Sequence, residues 1–213
     1  MDKKFESYLR FVWAGISKQV QTGAIIPSQK FLVDKMIAPI PASYRGTIVE
    51  LGAGTGALTI RLARRCPEAK IVACEINPEL ARDLRQNLRR AGINGEVEVV
   101  SEPAEKLLPR LRSKAAEKPK YIVSGIPLGN VPRKNTLALI EQIKRSLADD
   151  GMYIQFQYSL LDRAKIRAAF PRLRTAHVLL NFPPAFIYFA SKGGHSTTVR
   201  PPARASRPGS LRR

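Results

Sequence analysis

Three glycines at alternate positions, Gly52, Gly54 and Gly56, separate a short apolar run from an amphipathic one. No other feature constrains the fold as much. The run before them, Thr47–Leu51 (TIVEL), is rich in β-branched residues and bounded by Gly46 and Gly52, which predicts a buried strand. The run after them, Ala57–Arg65, predicts a helix. Glycines at this spacing let the backbone turn sharply and come close to a ligand where a Cβ would collide. The turn feeds a helix N-terminus, whose free N–H groups favour a negative group. Gly52, Gly54 and Ala57 also satisfy a dinucleotide fingerprint, which by itself does not choose the ligand.

The strand–loop–helix pattern then repeats. Strands are predicted at Lys70–Cys74, Glu96–Val100, Tyr121–Ser124 and Met152–Tyr158. Helices are predicted at Gln29–Met36, Pro78–Ala91, Thr136–Ala148 and Leu160–Ala169, the third with an apolar stripe at Leu137, Ile140, Ile143 and Leu147. Two last strands, Ala176–Leu180 and Phe186–Ala190, flank Asn181-Phe182-Pro183-Pro184 as a hairpin-like return. Alternating strands and helices imply a parallel sheet with helices on both faces. Ligands bind such sheets beyond the carboxyl ends of the strands, where the strand order reverses.

Two acids and one loop stand at those ends. Glu75 closes the second strand, about 20 residues beyond the glycines, where a carboxylate can accept hydrogen bonds from ribose hydroxyls. Nicotinamide sites use the same device. Glu50 is more telling. It lies two residues before Gly52 on an otherwise apolar strand, and a buried acid requires a cationic or hydrogen-bonding partner. The loop Ser124-Gly125-Ile126-Pro127-Leu128 follows the fourth strand. Pro127 lacks an N–H, so the carbonyls before it cannot all pair within the sheet, and one left free could accept from a substrate amine.

The chain has 213 residues and a formal net charge of +19. The length suits one domain with its own core. A hydrophobic fraction of 44% excludes a wholly disordered chain, and no apolar run is long enough to span a membrane. Met1-Asp2-Lys3-Lys4 does not open a signal peptide, and two cysteines without metal or redox spacing fit a reducing cytoplasm. The charge points to a polyanion, either nucleic acid or an anionic membrane.

The charge is divided. Residues 192–213 carry six basic residues and no acid, a composition expected to be disordered, and this leaves +13 on residues 1–191. Near the N-terminus, Phe5, Leu9, Val12, Ile16 and Val20, with Tyr8 and Trp13 beside them, line one face of a predicted helix, with Lys3, Lys4, Arg10, Ser17 and Lys18 opposite and Phe11 as the exception. This is the pattern of a helix lying in a membrane interface, with Trp and Tyr at headgroup level. It also fits a helix that covers the core.

The combination VELGAGTGALT, CEINP, SGIPLGN and QFQYS resembles the class I methyltransferases that use S-adenosylmethionine, over residues 20–191. Within that class the chain is similar to the bacterial phospholipid N-methyltransferases. That narrower likeness rests on four segments: Thr22–Ser28 after the basic helix, the Ser124–Pro127 loop, Gln155–Tyr158, and Leu180–Ala185 before an aromatic strand. The family resembles the ribosomal RNA adenine dimethylases too.

The resemblance implies a Rossmann-like α/β fold with a seven-stranded, mostly parallel sheet, one antiparallel strand and helices on both faces. It implies three regions: an amphipathic helix and lid at 1–26, the methyltransferase domain at 27–191, and the basic tail at 192–213. S-adenosyl-L-methionine would be the cofactor, with no metal. Glu50, Gly52, Ala53, Gly54 and Gly56 would frame its methionine end. Glu75 would hold the ribose and Ile76 would pack on the adenine, with Glu102 near the adenine amino group. Thr22 and Ser28 would lie over the cofactor, and Ser124, Pro127 and Tyr158 would line the methyl-transfer site.

Adenine dimethylases place an aromatic residue directly after the proline of this loop to stack the extruded base, and an Asn at its start. Here those positions hold Leu128 and Ser124. The expected acceptor is therefore the amine of a phospholipid headgroup on an anionic membrane. The protein would be cytoplasmic, bound peripherally to the inner face. RNA methylation and cofactor binding without catalysis are the alternatives.

Overall fold

The computed structural model describes residues 27–93, 95, 97–114, 118–178 and 184–193. The amphipathic N-terminal helix, Thr22, most of the hairpin-like return and the tail from residue 194 lie outside the described residues. The side chain of Ser28 does too.

The elements follow the predicted alternation. They are α1 (Pro27–Ile37), β1 (Thr47–Leu51), α2 (Ala57–Arg65), β2 (Lys70–Cys74), α3 (Pro78–Arg90), β3 (Val97–Val100) and α4 (Ala104–Lys114). β4 (Tyr121–Ser124), α5 (Arg133–Ser146), β5 (Met152–Gln157), α6 (Arg163–Ala169), β6 (Arg172–Val178) and β7 (Ala185–Ser191) complete the order. One sheet holds all seven strands in the order β3-β2-β1-β4-β5-β7-β6. β1 pairs in parallel with β2 and β4, β2 with β3, and β4 with β5, while β7 is antiparallel to both β5 and β6. This is the expected Rossmann-like sheet with one reversed strand.

Strand alternation assigns the two faces. Val49, Leu51, Val72 and Ile122 pack against Leu107 and Leu108 of α4, Leu139, Ile140 and Ile143 of α5, and Ile166 of α6. Ile48, Ile71, Val123 and Ile154 pack against Leu32, Met36 and Ile37 of α1 and Leu62 of α2. α3 covers Ala53 and Ala73 through Leu84 and Leu88. Chain order turns back between β1 and β4, so the crevice at their carboxyl ends is the switch point.

Several boundaries differ from expectation. α4 was not predicted, because Pro109 lies inside it. Its apolar residues Ala104, Leu107, Leu108 and Leu111 nevertheless recur at helical spacing, and their burial holds the segment. α5 starts at Arg133 rather than Thr136, since Pro132 sets the entry and the Thr136 hydroxyl, with the Val131 carbonyl as its nearest acceptor at 3.1 Å and those of Leu128 and Pro132 within reach, ties the first turn to the segment before it. On α5, Leu139 is buried where Leu137 was expected, and Leu137 is exposed. α6 starts at Arg163 because residues 159–162 form a turn. β6 starts at Arg172, since the apolar β7 pairs with it along its full length.

Candidate functional site

The turn from β1 into α2 is built as the glycine spacing requires. Gly52 and Gly56 have φ of 76° and 94°, the left-handed region that side chains resist. A Cβ on Gly56 would lie 2.2 Å from Leu84 Cδ1, so a side chain there would also have to displace the buried Leu84 of α3. The loop is tied to β2, since the N–H groups of Gly52 and Ala53 both donate to the Cys74 carbonyl, at 2.9 and 3.0 Å. Asn87 Nδ2 donates to the Thr55 carbonyl from α3.

Glu75 is buried, not a solvated helix-end acid. Its Oε2 accepts from Gly54 N at 2.8 Å and its Oε1 from Asn77 N at 2.9 Å. Burial raises its pKa, and the N–H groups of Asn77, Gly54 and Ile76 oppose the rise. A carboxylate offers about four lone-pair sites, so each oxygen can still take a hydroxyl. Ile76 beside it is 60% exposed, an apolar surface suited to the face of an aromatic base.

Glu50 is 1% exposed and accepts from Thr59 Oγ1 at 2.7 Å. Burial pushes its carboxyl up to about 8; the Thr59 hydroxyl lowers it and the nearby Glu75 raises it further. No cationic side chain pairs with Glu50 among the described residues. The Thr55 hydroxyl is buried in the same loop with no partner among the described residues. A protonated acid with no cation, an orphaned hydroxyl and a tight glycine turn together form a cradle for a cationic, hydrogen-bonding group. That is the chemistry of the methionine end of S-adenosylmethionine, and these residues fit it.

Glu102 has a structural partner. Its carboxylate pairs with Arg110 of α4, and its carbonyl accepts from Cys74 Sγ at 3.1 Å. Burial and the surrounding acids push the Cys74 thiol up to about 12, which removes it as a nucleophile.

The loop after β4 meets the glycine turn directly. A Cβ on Gly52 would lie 3.2 Å from Ile126 Cγ1, and one on Gly125 would lie 3.4 Å from the Gly52 carbonyl. Ser124 is fully buried, and its hydroxyl accepts from Ile126 N at 3.2 Å. That bond ties the loop to the end of β4. The Ile126 carbonyl, the one immediately before Pro127, is not free. Gln155 Nε2 donates to it at 3.0 Å and Gln157 Nε2 at 3.5 Å. Gln155 in turn accepts from the Tyr153 hydroxyl, whose pKa is raised by burial.

Leu128 is fully buried within the α4–α5–α6 face of the core, so the side chain after Pro127 presents no surface to the crevice. Tyr158 is half-buried just past β5, edge-on to Phe156 with ring centroids 4.8 Å apart. The structure thus brings Glu50, Ala53, Gly54, Glu75 and Ile76 to one side of the crevice. Ser124, Pro127 and Tyr158 come from the adjoining strand ends. Thr55 and Thr59 were not singled out from the sequence, and Gln155 and Gln157 entered only within a segment carrying the family likeness, with no role of their own. The signal for Thr59 was its place one turn into the helix that follows Glu50.

Among the described residues, no group of three or more His, Cys, Asp or Glu could hold a metal, and no helix is long and apolar enough to cross a membrane.

Comparison with known proteins agrees with this fold. A family profile described as "Methyltransferase domain" matches residues 48–151. The "Ornithine lipid N-methyltransferase" of Singulisphaera acidiphila is 29% identical over 168 residues, covering 78% of this chain and 86% of that protein. The Halobacterium salinarum protein named "Probable ribosomal RNA small subunit methyltransferase A" is 30% identical over 132 residues, 58% of this chain and 46% of that protein. The crystal structure of human methyltransferase-like protein 13 in complex with SAH superposes with a TM-score of 0.60 at 16% identity, over 82% of this chain and 86% of that one.

Proposed function

From the premise that this chain is an S-adenosylmethionine-dependent methyltransferase, we propose that its acceptor is the amine of a phospholipid headgroup, phosphatidylethanolamine and its partly methylated forms. The observation that carries the reading is Leu128. Its side chain is fully buried, so the acceptor loop offers no platform on which an extruded base could stack. The similarity to a protein named "Ornithine lipid N-methyltransferase" supports N-methylation of a lipid.

The cofactor supplies a methyl group already activated on a sulfonium, so the protein contributes chiefly alignment. In this reading Glu50 and the turn Gly52–Gly56 hold the cationic methionine end. Glu75 accepts from the ribose hydroxyls, and Ile76 covers the base. The Glu102 carboxylate, paired with Arg110, steadies the wall beyond β3. Ser124, Gln155 and Gln157 fix the acceptor loop against the glycine turn. Pro127 and Tyr158 border the path of the incoming amine. That amine must be neutral to attack, and its proton leaves to water or lipid phosphate; Tyr158 positions rather than deprotonates. Residues 1–26, with Thr22 and Ser28, serve as membrane contact and lid over the domain at 27–191. The basic residues of 192–213 add attraction to an anionic, cytoplasm-facing bilayer, at about 1 kcal/mol for each one near the surface.

The test is incubation with labelled S-adenosylmethionine and either phosphatidylethanolamine vesicles or ribosomal RNA. Label in lipid, lost in Gly54→Arg, is the expected result. Label in RNA alone overturns the proposal, and label in neither leaves a cofactor-binding protein without this activity.

A further inference from the structure

Five large apolar side chains are exposed among the described residues: Phe31, Ile76, Leu137, Leu160 and Leu161. Three of them fall on the two segments that leave β4 and β5. These strands are adjacent and parallel, with Ser124 opposite Gln155, so both segments emerge at the same edge of the sheet. That edge also carries the acceptor loop.

The turn bearing Leu160 and Leu161 is firmly seated. Asp162 occupies the position before α6 but does not cap the helix. It turns inward and is fully buried, with Oδ1 accepting from Lys165 Nζ at 2.6 Å. A Cβ on Gly129 would lie 3.4 Å from Asp162 Oδ2, which places the turn directly against the acceptor loop. Tyr188 Oη donates to the Ser159 carbonyl at 3.2 Å, and Arg163 N to the Leu160 carbonyl at 3.0 Å. An anchored backbone therefore holds Leu161 80% exposed and Leu160 47% exposed. Exposed leucines on a rigid tip, as opposed to a loose loop, mark an interaction surface.

The charge around the tip says which surface. Arg163 follows the tip directly, and Arg133 and Lys134 open α5 just after the loop that Asp162 approaches; all three are exposed. Across residues 125–140 and 158–170 the single acid is Asp162, and it is buried and paired with Lys165. Apolar tips ringed by unopposed cations match a bilayer with anionic headgroups, where leucine enters the acyl boundary and Lys and Arg stay at the phosphates.

We propose that Leu160 and Leu161, with Leu137 and the cations Arg133, Lys134 and Arg163, form a membrane-docking rim beside the acceptor loop. The inference rests on the lipid reading above and deepens it. Docking at this rim sets the crevice against the bilayer, so a headgroup amine reaches the loop without its lipid leaving the membrane.

The test is vesicle flotation of the full chain with phosphatidylcholine vesicles containing phosphatidylglycerol. Neither lipid carries a free amine, so binding is read without methyl transfer. The double substitution Leu160→Ser, Leu161→Ser should weaken partitioning about tenfold or more, as transfer of exposed leucine side chains implies. Arg133→Gln, Lys134→Gln should weaken it and flatten its salt dependence. Arg89→Gln, Arg90→Gln, exposed in the last turn of α3 and so at the opposite edge, should change it by less than about twofold, since it removes the same charge away from the membrane. Because both leucines are exposed, the melting temperature should hold in the leucine variant. Unchanged partitioning of that variant overturns the proposal. So does an equal loss in the α3 variant, which would make net charge the cause, or conversion of a dimer to a monomer by the leucine change with vesicle binding intact, which would make the face a contact between two copies. Intact vesicle binding with no label entering phosphatidylethanolamine would instead refute the acceptor assignment and leave the rim standing.

Discussion

Cofactor binding should release a proton from Glu50. In the ligand-free protein its carboxyl is pushed up to about 8, chiefly by burial. At pH 7 such a group is about nine-tenths protonated. A cationic sulfonium and ammonium placed against it favour the carboxylate, which the Thr59 hydroxyl already stabilises at 2.7 Å. Binding at pH 7 should therefore expel about 0.9 proton through Glu50, falling to about 0.5 at pH 8. The part of the association constant that Glu50 contributes, read as the ratio of wild type to Glu50→Gln, should rise about tenfold per pH unit below 8 and level off above it.

Titration calorimetry at fixed pH in buffers of different ionisation enthalpy measures the proton count. The cofactor's own α-amino group titrates at about 7.7–8.0, so the informative quantity is the difference between wild type and Glu50→Gln. The glutamine keeps an oxygen for Thr59 and cannot titrate. A difference near zero refutes the placement of the cation beside Glu50.

The same shift has a stability consequence of determined sign. The folded carboxyl binds its proton more tightly than the unfolded one, whose value is 4.5. The stabilising difference is therefore present in acid and withdrawn as pH climbs towards 8, by about 3 kcal/mol at pH 7. Glu50→Gln should flatten that limb of the ligand-free stability curve.

Two further substitutions separate the halves of the site. Gly56→Ala puts a Cβ 2.2 Å from Leu84 Cδ1 at a φ of 94°, and should cost about 2 kcal/mol or more of stability, read as the urea midpoint; an unchanged midpoint would mean the turn relaxes freely. Gln155→Leu removes the amide that donates to the Ile126 carbonyl at 3.0 Å and the acceptor of the Tyr153 hydroxyl. At about 1–3 kcal/mol per buried group left unsatisfied, kcat should fall about tenfold or more while cofactor affinity stays within about twofold; an equal loss of cofactor affinity would place Gln155 with the glycine turn instead.

Where sequence reading succeeded, the signal was local. β1, α2, β2 and β4 begin and end where their glycine boundaries and β-branched runs put them. Glu50 could be singled out because an acid on an apolar strand is anomalous in itself. α4 was hidden by Pro109, though its apolar spacing was there to be read, and burial overrode the proline. What stayed hidden depended on residues far apart in sequence. The expectation of a free carbonyl before Pro127 fails at Ile126, because two glutamines some 30 positions away occupy it. Nothing in the order of residues announces that. Leu128 could be read as the absence of an aromatic ring, but only packing shows its side chain turned into the core.

These long-range contacts also decide how the site works as a unit. Gly52 fits under Ile126, Gly125 fits over the Gly52 carbonyl, and Gln155 holds Ile126 from β5. Asp162 then braces the far end of the same loop through Gly129. A continuous chain of close approaches thus runs from the proposed cofactor cradle to the leucine-tipped turn. Since packed cores shift between discrete arrangements and do not deform smoothly, pressure on that turn should be felt at the glycine loop. The bilayer contact and the methyl donor would then share one rigid frame, which is what an enzyme needs if its acceptor stays embedded in a membrane while its donor comes from water.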